Sequence, residues 1–139
     1  MPYRPLTDIA RASAVASVVS GAPSTIYALA TRRNLLESTR AAGTLLPGRR
    51  DRPGVVAGGV VHVGVSAFWG LVLGHTLPGR RTAAWGALGG LAIAAISLPA
   101  GARSRPALAA LPQAPQWADN VAFGLVTGWL LSRSDASPS

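Results

Sequence analysis

Residues 54 to 77, GVVAGGVVHVGVSAFWGLVLGHTL, run for 24 residues without a formally charged side chain. A helix rises about 1.5 Å per residue, so about 20 apolar residues cross a hydrocarbon core of about 30 Å. This stretch is predicted to span a bilayer, and the rest of the chain has to be compatible with that. A second such stretch, TAAWGALGGLAIAAISLPAGA at 82 to 102, follows after only PGRR. Pro, Gly and two arginines predict a tight polar turn and an antiparallel hairpin, with Pro99 near the exit of the second span.

The composition fits. Of 139 residues only 13% are charged, against about 25% in ordinary soluble domains, and the mean hydropathy is +0.33. All 13 basic residues are Arg, and the net charge is +8. They fall in short runs between uncharged stretches, which suits headgroup anchoring at span ends and argues against nucleic-acid binding. Without cysteine there is no disulfide, thiolate metal site or cysteine nucleophile.

Two further spans are expected. WADNVAFGLVTGWLL gives one at about 116 to 132. The other, at about 9 to 30, contains SGAPST, in which Gly21 and Pro23 interrupt the helix because proline lacks a backbone donor and crowds the preceding turn. A kinked span or a partial, re-entrant one follows, with freed backbone groups buried in protein or wetted. Residues 31 to 53 hold six arginines and form an interfacial loop, with Leu35, Leu36, Ala42 and Leu46 on one helical side and Arg33, Glu37, Arg40 and Thr44 on the other. The expected fold is an all-α integral membrane bundle of about four transmembrane helices, the first kinked or partial. Arginine counts favour a cytoplasmic 31 to 53 loop with both termini outside.

Helices in lipid associate through small residues and hydrogen bonds. Stepping by four through the long span gives Gly54, Gly58, His62, Ser66, Gly70 and Gly74. The same ridge recurs as Thr82, Gly86, Gly90 and Ala94, and again as Asn120, Gly124, Gly128 and Ser132. Such ridges suit close helix crossings.

His62 and His75 lie about 20 Å apart along an ideal helix and cannot share a metal. His62 sits on the small-residue ridge, and Asp119 and Asn120 enter the last span at a similar depth. A hydrogen bond from His62 to Asp119 or Asn120 is the sharpest expectation, with a packing role of about 1 kcal/mol and a proton relay as the two readings. No acid–base pair, metal cluster, phosphate cradle or nucleophile elbow is present, so no catalytic residue, metal or cofactor is assigned.

His62 with Ser66, the basic turn before Trp85 and Gly86, and Trp117 before Asp119 and Asn120 resemble the YagU-type bacterial inner-membrane proteins over residues 54 to 132. That resemblance implies a multi-pass helical protein of the inner (plasma) membrane and supplies no catalytic residue. The functional expectation is a non-enzymatic membrane subunit or scaffold, packing on itself as a homo-oligomer or on a membrane protein partner through its glycine ridges. Its rival is an oligomeric transporter or channel with a polar site at His62 and the Gly21–Pro23 break. The rival requires a wetted cavity there, whereas the scaffold requires a dry interior.

Overall fold

The computed structural model describes residues 2–137, which are helical and contain no strand. The helices are α1 (Leu6–Val19), α2 (Ala22–Ala30), α3 (Glu37–Ala42), α4 (Val55–Thr76), α5 (Thr82–Ser104), α6 (Pro106–Ala109) and α7 (Gln113–Ala136), with a 3-10 turn at Gly43–Leu45. Three segments are long and apolar enough to cross a membrane: Leu6–Ala30, Val55–Thr76 and Thr82–Ser104.

Burial supports the membrane reading. Small residues such as Ala12, Ala16, Ala94, Gly70 and Gly86 share the interior with a few large ones, Ile9, Ile93, Phe123 and Leu131 among them, while Val56, Val63, Phe68, Ile96 and Val18 point outward. A soluble domain keeps most of its large apolar side chains inside. Outward valine and leucine cost nothing only when the surrounding solvent is itself apolar.

The last helix, α7, is as long as the others yet is not among the three apolar spans. Its position explains this. It packs against α1, α2, α4 and α5. A helix shielded by its neighbours has no need of lipid-compatible side chains all round, and α7 carries Asp119, Asn120, Arg133 and Asp135.

Residues of the four-step ridges meet across the bundle. A Cβ placed on Gly86 would strike the Gly124 carbonyl, one on Gly90 the Asn120 carbonyl, and one on Gly128 the Thr82 carbonyl. The register, 82 to 128 and 90 to 120, makes α5 and α7 antiparallel at backbone contact. On α4, Gly70 faces Ser13 and Gly74 faces Ile9 of α1, while Gly58 abuts Thr39 of α3 and Gly54 lies against Arg49. Ser66 on the same ridge is buried.

One sequence expectation about the long spans changes. The stretches 54 to 77 and 82 to 102 do not pair closely as a hairpin. They run in opposite directions but touch little, Leu73 reaching Gly89 near the turn. Each prefers a partner whose small residues match its own, α1 for α4 and α7 for α5. Pro99 lies near the exit of its helix, as expected, and the helix continues to Ser104.

The Arg-rich segment is docked on the bundle. Gln116 Nε2 donates to Ser38 Oγ at 2.9 Å, Arg105 Nε to the Thr44 carbonyl at 2.6 Å, and Gly54 N to the Arg40 carbonyl at 3.1 Å. Thr44, expected on a polar face, is fully buried, and Leu35 and Leu36 are exposed. The helix begins only at Glu37, so the face drawn through residues 33 to 36 does not exist. Arg33 donates to both Glu37 oxygens, at 2.9 and 2.7 Å. That hydrogen bond is the main reason the Glu37 carboxyl lies below its ordinary value and the Arg33 guanidinium above its own.

Opposite the Arg-rich end, Arg4 forms a clasp. Its side chain is 2% exposed, donates through Nε and Nη2 to Asp135, and donates through Nη1 to the Gly74 and Leu77 carbonyls at 3.0 and 2.9 Å. One guanidinium thus joins the start of α1 to the end of α7 and satisfies carbonyls at the end of α4, where a helix leaves acceptors unpaired.

Candidate functional site: the broken first span

Proline at 23 and glycine at 21 divide the first apolar segment into α1 and α2. Gly21 keeps near-helical angles, φ −77° and ψ −5°, so the division is a kink. The course of the chain agrees. Arg4 contacts Asp135 at one end of α7, and Ser24 contacts Asp119 toward the other, so α1 and α2 follow α7 in one antiparallel pass.

Such a kink leaves the C-terminal carbonyls of α1 and the N-terminal amides of α2 short of helical partners. Side chains from other helices supply them. His62 Nε2, on α4, lies 2.8 Å from the Ser17 carbonyl. A carbonyl only accepts, so Nε2 carries the hydrogen and fixes the tautomer. Asp119 Oδ1, on α7, accepts the Ser24 amide at 2.9 Å, acting as a cap supplied from another helix.

The expected pair of His62 with Asp119 or Asn120 is therefore corrected. His62 bonds to the α1 end of the break, Asp119 to the α2 end, and Asn120 Nδ2 donates to the Gln116 carbonyl of its own helix at 2.9 Å. Freed backbone groups at the kink take one atom of each side chain, Nε2 of His62 and Oδ1 of Asp119, in place of a bond between the two. The depth read from sequence places both residues at the break. Their partners follow from the break itself.

Around the break lies a cavity of about 290 Å³. Ser20, Gly21 and Ser24 line it from the kink, His62, Ser66 and Trp69 from α4, Ile93 and Ser97 from α5, and Asp119, Asn120 and Phe123 from α7. Segments of α3 and α6 contribute Ser38, Thr39 and Leu108 on the Arg-rich side. The cavity exists because α4 and α5 diverge from their turn, leaving a gap that the interfacial segments only partly fill. Half the bundle is tightly packed through Gly86, Gly90, Gly124 and Gly128; the other half borders this partly open space. His75 lies apart, its Nδ1 2.8 Å from the Leu71 carbonyl of its own helix.

Sequence reasoning missed Arg4 and Asp135, and it missed Trp69 as a cavity wall. Trp69 packs on the buried cluster that includes Ile9, Ala12, Ile93 and Phe123, and meets Phe68 edge-on at 5.0 Å. No cluster of three or more His, Cys, Asp or Glu suited to a metal occurs among the described residues. No protein-family model, curated protein or solved structure matches this chain.

Proposed function

We propose that this chain is a non-enzymatic, multi-pass membrane protein that binds a small solute in the cavity beside its broken first span and, as an oligomer, carries it across the bilayer. In this reading α7 is the fourth transmembrane helix and the membrane is the plasma membrane, oriented with the 31 to 53 loop inside. The carrying observation is the cavity of about 290 Å³ at the kink, with His62 and Asp119 at its wall. Kinked or discontinuous spans supply polar backbone where an all-helical bundle otherwise has none to offer a solute. One chain encloses little volume, which is why the transporting unit is an oligomer.

The glycine ridges support this reading over that of a scaffold. Gly58, Gly70, Gly74, Gly86, Gly90, Gly124 and Gly128 are all occupied by other parts of the same chain, and a Cβ on any of them meets a neighbour. Surfaces already used internally are not available to hold a partner.

Thiol labelling tests the proposal, and the absence of native cysteine gives a clean background. Ser97→Cys lines the cavity and Thr127→Cys is fully buried elsewhere. In membrane vesicles a water-soluble thiol reagent is expected to modify the first and spare the second. Equal protection of both would mean a dry interior and would return the scaffold reading.

A further inference from the structure

Resting on that reading, we infer that the solute is a small organic monocation, held with its charge against Asp119 and its apolar body against Trp69 and Phe123. The protein as a whole carries net charge +8, yet none of its 13 arginines lines the cavity. Among the described residues Asp119 is the one carboxylate that does. On the Arg-rich side, Arg105 bonds to the Thr44 and Ser104 carbonyls and Arg33 to Glu37.

The helix ends at the break do not cancel this charge. The N-terminus of α2 contributes about half a positive charge, and the adjoining C-terminus of α1 about half a negative one. They offset each other, and the carboxylate remains. Its Oδ1 is taken by the Ser24 amide, and Oδ2 makes no hydrogen bond among the described residues. With Nε2–H bonded to Ser17, His62 in its neutral form offers Nδ1 as an acceptor, which suits a cation.

Size and surface narrow the class. A volume of about 290 Å³ equals on the order of ten water molecules at about 30 Å³ each. Metal ions would leave most of that space unfilled, and an anion would meet the carboxylate. An ammonium group with an apolar body fits, because Trp69 and Phe123 present ring surfaces that attract cations as well as apolar groups.

The test uses Ser97→Cys protein in membrane vesicles with two thiosulfonate reagents, one bearing trimethylammonium and one bearing sulfonate. Rates are normalised to free cysteine. The cationic reagent is expected to react at least about tenfold faster, and Asp119→Asn, which keeps an oxygen for Ser24, is expected to collapse that ratio toward one. Benzyltrimethylammonium is expected to slow labelling, and benzoate and neopentylbenzene are not; Trp69→Leu is expected to weaken the protection several-fold. Labelling without charge preference or selective protection would overturn the cation assignment alone. No labelling by either reagent would mean a dry cavity and would overturn the solute-site reading with it.

Discussion

Removing Asp135 should destabilise the bundle more than removing Arg4, although the two residues form one ion pair. Asp135→Ala strands a guanidinium whose side chain is 2% exposed, whereas Arg4→Met leaves a carboxylate that is 20% exposed and can hydrate. Breaking a buried pair by deleting one partner costs about 3 to 5 kcal/mol. Because Arg4 keeps its bonds to the Gly74 and Leu77 carbonyls, Asp135→Ala should fall near the lower end, about 3 kcal/mol. Arg4→Met loses those two bonds but exposes helix-end acceptors to water, for about 2 kcal/mol. The double variant should cost less than the sum of the singles by about 1.5 kcal/mol or more. Unfolding in mixed micelles titrated with denaturing detergent reads all three. If each single variant costs under about 1 kcal/mol and the coupling is below about 0.5, Arg4 is not the clasp described here.

Further outcomes follow from the packing and the break. Gly86→Val should cost about 3 kcal/mol or more, because its side chain meets the Gly124 backbone, whereas Gly64→Ala, which faces open space, should be neutral or stabilising by about 0.5 kcal/mol in the same unfolding assay. Asp119→Ala should cost about 1 to 2 kcal/mol as a lost cap and accelerate hydrogen exchange at the Ser24 amide, with Asp119→Asn close to wild type. The Glu37 carboxyl should titrate below the ordinary glutamate range by NMR and move up in Arg33→Ala. Its folded value is the depressed one, so its contribution is present above the ordinary range and disappears as pH falls through the lowered value.

Much of this architecture is legible in the sequence because its signals are local. An uncharged run of adequate length identifies a span whatever surrounds it, and a small residue at every fourth position marks a face that another backbone can approach. Partner choice is not local. Gly70 and Gly74 could have met α5 as readily as α1, and only the complete set of facing residues decides. Arg4 and Asp135 lie 131 positions apart at opposite chain ends, and neither belongs to any motif.

The candidate site shows the same division. Gly21 and Pro23 announce a break, and the depth of His62 and Asp119 can be estimated by counting residues. What counting omits is that a broken helix presents its own donors and acceptors. A reading confined to side chains pairs His62 with Asp119, while the backbone at the kink separates them. The last helix illustrates a different limit, since α7 is the least apolar of the long helices because the others surround it.

The central claim is a water-filled break inside the membrane, with His62 and Asp119 on its two ends. Water-edited solid-state NMR of protein in lipid bilayers, with nitrogen-labelled His62 ring and Ser24 amide, tests it most directly. The account predicts a hydrogen on Nε2 with through-space contact to the Ser17 carbonyl, a Ser24 amide bonded to Asp119, and rapid magnetisation transfer from water to both. A hydrogen on Nδ1, a direct His62 to Asp119 bond, or no transfer from water would contradict it.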